Sequence, residues 1–355
     1  ALPRHVVGDF ARAEDLCQYL QSRFDAATDS LSWPSFIYAA VIRDDSTSLY
    51  LAFDHINVDA YSLQLMAAEI HDLYAASVEG RAAEPPEVSS YADFCAIERA
   101  QADQIDDSHE IVARWREFVA SCDGMLPTFP LDLGVVPGEL PQQTILAEML
   151  VDDSDAAGFD AYCRRSGGIL PGILAISSIA VLEVGGRPTC RIVVPLHTRV
   201  RSQWSESVGW YVGVAPIEIP TAQAQDFRGV LEMARDALRT NRSLARVPIA
   251  RVLHLLGSDF RPASPDLFSL ISYVDARAVP GADRWAEWNA STLVRMSHGD
   301  QVGVWFTRIH EGLQVACHYP DTDIAHKNIL RFVEELRKII ISVARTGEYG
   351  EYVVT

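Results

Sequence analysis

The sequence predicts an α/β protein built from two lobes or two domains. Short β-rich apolar runs alternate with amphipathic helical patterns along the chain, without the regular period of a parallel αβ barrel. The length of 355 residues suggests two domains, or one large domain with two lobes. A stretch rich in proline and glycine, residues 122–141, is the candidate boundary. We therefore expect an N-terminal lobe over residues 1–150 and a C-terminal lobe over residues 151–355.

The N-terminal lobe is predicted to begin with a helix over residues 10–27, followed by a β-hairpin over residues 36–55. Both faces of the hairpin's second run, from Leu49 to Phe53, are apolar. Since a strand of this kind usually has both faces covered, we expect it to be central in its sheet and buried on both sides. Further helices are expected at residues 91–104 and 109–120.

An amphipathic pattern between the hairpin and these helices predicts another helix, which ends before Gly80. Its apolar residues share one helical face, and we expect that face to pack in the core. The face comprises Leu63, Met66, Ala67, Ile70, Leu73 and Tyr74.

The C-terminal lobe is predicted to alternate strands with helices in the same way. Strands are expected at residues 144–151, 191–195 and 209–220, within residues 266–276, and within residues 301–319. Helices are expected at residues 154–166, 171–184, 227–244, 248–256 and 324–345.

The composition argues against several classes of partner. The formal net charge is −18, which disfavours a nucleic-acid backbone or an anionic membrane as the main partner, because both need clustered Lys and Arg. No apolar run is long enough for a transmembrane segment, and no charged-then-apolar leader is present. The six cysteines are scattered without a C-x-x-C pair, as expected for reduced thiols in a cytoplasmic protein. No metal site is expected, although His310 and His318 are candidates to lie near each other on neighbouring strands.

Several common catalytic signatures do not occur in the sequence. It contains no G-x-S-x-G elbow, no G-x-x-x-x-G-K-[ST] loop, no G-x-G-x-x-G turn and no H-E-x-x-H pair. The common serine hydrolases, NTPases, Rossmann dehydrogenases and zinc proteases therefore have no support. A histidine-centred site is the remaining candidate.

His55 is the candidate catalytic residue, because it ends an apolar run and stands between Asp54 and Asp59. A rigid strand end that abuts a helix start is a common place for a reactive group. A neutral imidazole at such a position can accept a proton from a hydroxyl or an amine that attacks a carbonyl. The alternative from the residues alone is a structural histidine whose hydrogen bonds are satisfied by the fold.

Residues 55–60, HINVDA, resemble the H-x-x-x-D-G core of the superfamily that contains chloramphenicol acetyltransferase and the condensation domains of nonribosomal peptide synthesis. Four further segments are similar to the polyketide-associated (Pap-type) acyltransferases of actinomycetes. They are residues 114–134, 197–220, 268–277 and 318–339. The resemblance runs with gaps from about Trp33 to Arg345, and the segments agree in order and spacing.

The resemblance implies two lobes like chloramphenicol acetyltransferase, each with a mixed sheet flanked by helices, and a tunnel between them. It implies that His55 is the general base. Asp59 matches an aspartate that points away from substrate, and Arg199 matches the arginine that often pairs with it. Ser272, or a backbone N–H near Gly209, would stabilise the oxyanion, and Trp210 and Tyr211 would line the acyl channel. For both rings the alternative is a core position.

The implied reaction is acyl transfer from a thioester to a hydroxyl, or as second choice an amine, of a lipid, glycolipid or natural product. No tightly bound cofactor or metal is implied. The donor would be an acyl-CoA or an acyl group on the phosphopantetheine of a carrier protein. An acidic carrier protein would need a basic patch, and Arg235, Arg239, Arg242 and Arg246 are candidates for it.

The sequence departs from the family pattern in three places. Asp54 stands where condensation domains usually have a histidine, and Ala60 stands where the motif has glycine. The motif also begins at residue 55, so we expect the N-terminal lobe to be incomplete in this chain. These departures keep a second hypothesis open, namely a catalytically inactive, condensation-like domain for binding or recruitment. His197 and His298 are expected to be structural.

Overall fold

The computed structural model describes residues 6–349 apart from residues 293 and 296. The strands are β1 Phe36–Ile42, β2 Thr47–Phe53, β3 Gln143–Asp152, β4 Cys190–His197, β5 Val212–Ile219, β6 Leu270–Asp275, β7 Gly303–Ile309 and β8 Gly312–Pro320. The helices are α1 Ala13–Ala27, α2 Ala60–Glu79, α3 Tyr91–Ala102, α4 Glu110–Ala120, α5 Asp153–Ser166, α6 Ile169–Gly185, α7 Phe227–Asn241, α8 Ile249–Leu256, α9 Trp285–Trp288 and α10 Asp323–Thr346.

The strands form two sheets. A six-stranded mixed sheet has the order β3-β8-β7-β6-β4-β5, and β1 pairs with β2 in a two-stranded sheet. In the larger sheet β6 runs parallel to both β4 and β7, while the other neighbours are antiparallel. The predicted mixture of strands and flanking helices is therefore present, with helices on both faces of the larger sheet.

The main core lies on one face of the six-stranded sheet, where α5, α6, α7 and α10 pack against it. Alternate residues of each strand supply this face, as expected from the period of a strand. A second core covers the opposite face at the β4–β5 end, where Val193 and Val214 pack with Trp115 of α4 and Val252 of α8. This second layer brings α4 and α8 next to the strands that lead into the site.

Most predicted elements are present close to their expected bounds. The hairpin is formed by β1 and β2 with Phe36 paired to Phe53. Asp59 caps the N-terminus of α2, and Gly80 ends that helix in the left-handed region with φ of 68°. This backbone conformation suits glycine because it has no Cβ.

The prediction that β2 is a central strand buried on both sides is wrong. Within the described residues β2 pairs only with β1, and Leu49 and Leu51 are 48% and 40% exposed. The run is apolar on both faces, but one of those faces has no covering layer in the described part of the chain. The apolar pattern showed which side chains share a face and did not show what packs on it.

The predicted core face of α2 is also wrong. The buried residues of this helix are Ser62, Leu65, Ala68 and Ala76. Tyr74, predicted to be core, is 68% exposed. The physical reason is a pair of hydrogen bonds between Ser62 and the backbone of Gly209, which turn the serine side of the helix inward.

The candidate boundary, residues 122–141, contains neither a helix nor a strand. The predicted division at residues 150 and 151 falls inside β3, which forms one edge of the six-stranded sheet. The division into two lobes stays a prediction. Among the described residues, no individual helix has the length and apolar character needed to cross a membrane, although α5 and α6 meet that criterion together as a pair bent by 106°.

Candidate functional site

His55 lies in a single 3₁₀ turn, His55–Asn57, between the end of β2 and the start of α2. Asp54 caps this turn, because its Oδ1 accepts a hydrogen bond of 3.0 Å from the backbone N–H of Ile56. The Asn57 side chain donates to the Ser35 hydroxyl at 2.6 Å, which ties the turn to the chain before β1. Asp54 therefore shapes the turn as a capping residue.

The His55 ring is held in one tautomer by its own turn. Nδ1 lies 2.6 Å from the backbone carbonyl oxygen of Val58. A carbonyl oxygen only accepts, so Nδ1 carries the proton of the neutral ring and Nε2 has a free lone pair. His55 is exposed, and Nε2 has no hydrogen-bond partner among the residues that the structure describes. The Trp210 ring lies edge-on to the imidazole, with 5.0 Å between the ring centroids.

Asp59 is buried and fully engaged. Its Oδ1 accepts from the Ser62 N–H at 2.7 Å and from Arg199 Nη2 at 3.1 Å. Its Oδ2 accepts from the Tyr211 N–H at 3.1 Å and from Arg199 Nη1. The side chains of Asp59 and Arg199 are only 4% and 6% exposed, respectively. A bidentate pair with both carboxylate oxygens occupied fixes geometry and leaves the carboxylate unavailable to substrate.

Ser62 is a site residue that no pattern in the sequence marks. Its hydroxyl donates to the Gly209 carbonyl at 2.9 Å and accepts from the Gly209 N–H at 3.0 Å. It also accepts from Arg199 Nη2 at 2.7 Å. The only signal in the sequence is a serine three residues after an N-capping aspartate, and that pattern is too common to predict a contact across the protein.

The segment from Gly209 to Tyr211 forms the wall beside His55. A Cβ on Gly209 would lie 2.4 Å from the Tyr91 ring, so a side chain does not fit there. The Tyr91 hydroxyl donates to the Trp210 carbonyl at 3.1 Å. Burial raises the pKa of that phenol, which keeps it protonated as a donor. Trp210 is thereby fixed from behind, with its ring toward His55.

Tyr211 does not line a channel. Its side chain is fully buried in a cluster with Phe94 and Trp204, and the Arg199 guanidinium lies 4.2 Å from the centroid of its ring. The prediction that it lines the acyl channel is wrong, and the alternative of a core position is correct. The ring supports the Asp59–Arg199 pair by a cation–π contact.

The predicted oxyanion donors differ in whether they already make a hydrogen bond within the protein. The Gly209 N–H donates to Ser62 and the Tyr211 N–H donates to Asp59, so both are already used. Ser272 lies half-buried on β6, opposite Trp305 of β7. Its role as an oxyanion donor stays a prediction.

The other noted histidines lie elsewhere. His197 ends β4 opposite Val212, and desolvation lowers its pKa, with further lowering by the positive charges of Arg199 and Arg242. His298 is exposed. His310 lies at the β7–β8 turn, whereas His318 pairs with Gly303 at the other end of that hairpin, so the two do not meet. No group of three or more potential metal ligands occurs among the described residues.

A groove of about 540 Å³ lies further along α2. Its lining includes Leu65, Glu69, Arg81, Pro85 and Glu206, and His55 is not among its lining residues. The site at His55 is therefore an exposed histidine on a short turn that hydrogen bonds of Asp54 and Asn57 hold in place. Chemically, the arrangement offers one basic nitrogen beside an aromatic wall, supported by a buried ion pair.

Comparison with known proteins identifies relatives of this chain. The family model described as the condensation domain matches residues 10–350. Acyltransferase PapA3 of Mycobacterium tuberculosis is 29% identical over 326 residues, which are 90% of this chain and 68% of PapA3. The 2'-acyl-2-O-sulfo-trehalose (hydroxy)phthioceranyltransferase PapA1 of the same organism is 27% identical over 344 residues, covering 92% of this chain and 64% of PapA1. The chain thus spans about two thirds of the length of these relatives.

Solved structures give the same answer for the fold. A PapA2 acyl transferase superposes with a TM-score of 0.81 at 27% identity, covering 92% of this chain and 72% of that structure. The first condensation domain of the CDA synthetase superposes with a TM-score of 0.69 at 17% identity, covering 95% of this chain and 74% of that domain. The predicted fold class and the predicted resemblance to Pap-type acyltransferases are confirmed.

Proposed function

The chain belongs to the condensation-domain family and is an acyltransferase, and we propose that it moves an acyl group from a thioester to a hydroxyl of a lipid, glycolipid or natural product. An amine is the second choice of acceptor. The proposal rests on one observation above all. Nδ1 of His55 is hydrogen-bonded to the Val58 carbonyl, which leaves the lone pair of the neutral ring on Nε2, and the ring lies edge-on to Trp210.

His55 acts as the general base in this proposal. Nε2 takes the proton of the acceptor hydroxyl while the hydroxyl oxygen attacks the thioester carbonyl carbon. The tetrahedral intermediate then collapses, the carbon–sulfur bond breaks, and the proton on Nε2 passes to the departing thiolate. No acyl-enzyme forms, because the acceptor oxygen attacks the donor directly. Holding the two substrates in line supplies the remaining acceleration.

The donor is proposed to be an acyl-CoA or an acyl group on a carrier protein, and neither needs a tightly bound cofactor. One oxyanion donor is proposed to be the Ser272 hydroxyl. The backbone N–H of Trp210 is the other candidate, because the N–H groups on both sides of it are already bonded. We place the reaction in the cytoplasm, where the scattered free cysteines would stay reduced.

The acceptor is proposed to be a trehalose-type glycolipid. Two relatives carry names that specify such acceptors, the PapA1 enzyme above and the trehalose-2-sulfate acyltransferase PapA2 of Mycobacterium bovis. PapA2 is 29% identical over 327 residues, covering 90% of this chain. Trehalose and 2-sulfotrehalose are therefore the first acceptors to test.

Replacing His55 with alanine tests the proposal. We expect a fall in kcat of about 10²- to 10⁴-fold, the usual contribution of general-base catalysis. Release of CoA thiol from a panel of acyl-CoA donors, with trehalose and 2-sulfotrehalose as acceptors, measures the rate. His326→Ala is the matched control, since His326 is exposed at the start of α10, which follows β8 at the end of the six-stranded sheet opposite His197. Equal rates for His55→Ala and the unaltered protein would exclude the general-base role.

A further inference from the structure

The 3₁₀ turn Arg242–Arg246, which follows α7, runs against the start of β5. A Cβ on Gly213 would lie only 1.7 Å from the Ala245 carbonyl oxygen, so the two backbones are in direct contact. Leu244 and Ala245 are buried, whereas Arg242 and Arg246 are exposed. The turn thus packs against β5 through its apolar residues, and both arginine side chains are exposed to solvent.

This contact places the two arginines close to the site. Gly213 comes three residues after Trp210, the ring that faces His55, and three residues of extended chain span about 10 Å. On β4, His197 pairs with Val212, the neighbour of Gly213. The positive charge of Arg242 acts on His197, where it contributes to a lowered pKa. The arginine turn therefore borders the same strand ends that carry the site wall.

The four arginines considered as a basic patch divide into two pairs. Arg235 and Arg239 both contact Asp236, at 3.2 and 3.4 Å, which neutralises part of their charge. In the part of the chain that the structure describes, Arg242 and Arg246 have no carboxylate within 4.0 Å, whereas Arg235 and Arg239 do. They are therefore two unneutralised cations beside the site of a protein whose net charge is −18. A local positive charge of this kind attracts an anion to one place on a protein whose net negative charge otherwise repels anions.

We propose that Arg242 and Arg246 bind the phosphate of the donor's phosphopantetheine arm and so orient the thioester toward His55. The inference rests on the proposed function, since it assigns one end of the donor. Guanidinium groups suit this task because their planar N–H donors match the oxygens of a phosphate. Phosphopantetheine occurs in coenzyme A and on carrier proteins, so the assignment covers both donors.

The position of the arginines favours the donor's phosphate over the sulfate of a sulfated acceptor. A sulfate on the sugar next to the reacting hydroxyl stays within a sugar ring of His55. The turn meets β5 at Gly213, three residues and about 10 Å of extended chain from Trp210, which is farther than one sugar ring reaches. A long, flexible arm that ends in a phosphate reaches such a place while its thioester stays at the histidine.

Binding of 4′-phosphopantetheine and of pantetheine, measured by titration calorimetry, isolates the phosphate. We expect the unaltered protein to bind the phosphorylated arm more tightly, and the double variant Arg242→Gln/Arg246→Gln to lose about 5- to 30-fold of that affinity, as expected for two exposed charge-assisted contacts. Pantetheine should bind the two proteins alike. Arg187→Gln is the control, because Arg187 is exposed at the opposite end of β4, and eight residues of strand span about 26 Å.

Coenzyme A and a phosphopantetheinylated carrier protein form two further arms of the titration and distinguish the two sources of the phosphate. A loss with both supports the shared phosphate contact, and a loss with one of them identifies the donor. Equal affinity of the double variant and the unaltered protein for 4′-phosphopantetheine overturns the assignment, as does failure of the unaltered protein to discriminate the phosphorylated arm.

The kinetic counterpart separates this inference from the proposed function. With acyl-CoA the double variant should show a raised KM and a nearly unchanged kcat, and with an acyl-N-acetylcysteamine thioester, which lacks the phosphate, neither should change. A raised KM for 2-sulfotrehalose instead would assign the arginines to the acceptor and contradict the inference. Absence of any thioester turnover by the unaltered protein would refute the proposed function, whereas the calorimetric result would still decide the phosphate site.

Discussion

Replacing Arg199 with methionine removes a guanidinium from a carboxylate that has almost no contact with solvent. Asp59 is 4% exposed at its side chain, and Arg199 supplies two of the four hydrogen bonds that it accepts. The variant would leave a buried carboxylate with only the N–H groups of Ser62 and Tyr211. Asp59→Asn produces the converse defect, a buried guanidinium facing a neutral amide.

Each single substitution should cost about 3–5 kcal/mol, the usual penalty for breaking a buried ion pair by removing one partner. That is a large share of a typical total stability of about 5–15 kcal/mol. The double variant Asp59→Asn/Arg199→Met removes both charges and leaves no unpaired ion. We therefore expect its cost to fall short of the sum of the two single costs by at least about 2 kcal/mol.

Urea denaturation of the four proteins, followed by tryptophan fluorescence, measures this coupling. Costs that add to within about 0.5 kcal/mol would show that the two side chains act independently and would refute the reasoning. Below the unfolding transition, the single variants should also lose kcat. The reason is that Asp59 follows Val58, whose carbonyl holds the His55 tautomer.

Two more variants test separate contacts. Gly209→Ala should lower the free energy of unfolding by about 1–3 kcal/mol and lower kcat, because the new Cβ would lie 2.4 Å from the Tyr91 ring and displace Trp210. Gly80→Ala is the control for backbone strain, since Gly80 has φ of 68° but no atom within 4 Å of the new Cβ. A similar kcat for the two variants would contradict the steric argument. Burial lowers the pKa of His318, so the folded state binds fewer protons than the unfolded chain, and stability is lost as pH falls below about 6.5. In His318→Gln that loss is absent, and the difference in Tm from the unaltered protein should narrow between pH 8 and pH 5; a pH-independent difference would count against a buried neutral imidazole.

The sequence was sufficient for the type of nearly every element and for the pair at positions 59 and 199. Period and turn residues predict α2 and the β1–β2 hairpin because both signals are local. Burial of those elements was predicted wrongly, because Leu49, Leu51 and Tyr74 are exposed. An apolar face in the sequence predicts that the face is buried, but only the folded structure shows whether another element packs on it.

The contacts that the sequence could not supply are the polar ones between distant segments. Ser62 and Gly209 are 147 residues apart, and Tyr91 reaches the Trp210 carbonyl across 119 residues. A serine and a tyrosine on amphipathic helices have no pattern that distinguishes these roles from surface positions. The resemblance to a known family identified the residues of the motif. The hydrogen bonds from Ser62 and Tyr91 that support the motif depend on how α2 and α3 lie against the strand ends.

Within the motif, the two carboxylates that flank His55 stabilise opposite ends of one short turn. Asp54 caps the turn at its start through the Ile56 N–H, and Asp59 is held at its end by Arg199. Between these fixed points lies the Val58 carbonyl, which accepts a hydrogen bond from Nδ1–H and so leaves the lone pair of the neutral ring on Nε2. Neither carboxylate therefore needs to touch substrate to control the histidine. A substitution at Asp54 should loosen the turn with little change in the buried ion pair, whereas one at Asp59 removes the anchor on which the tautomer depends.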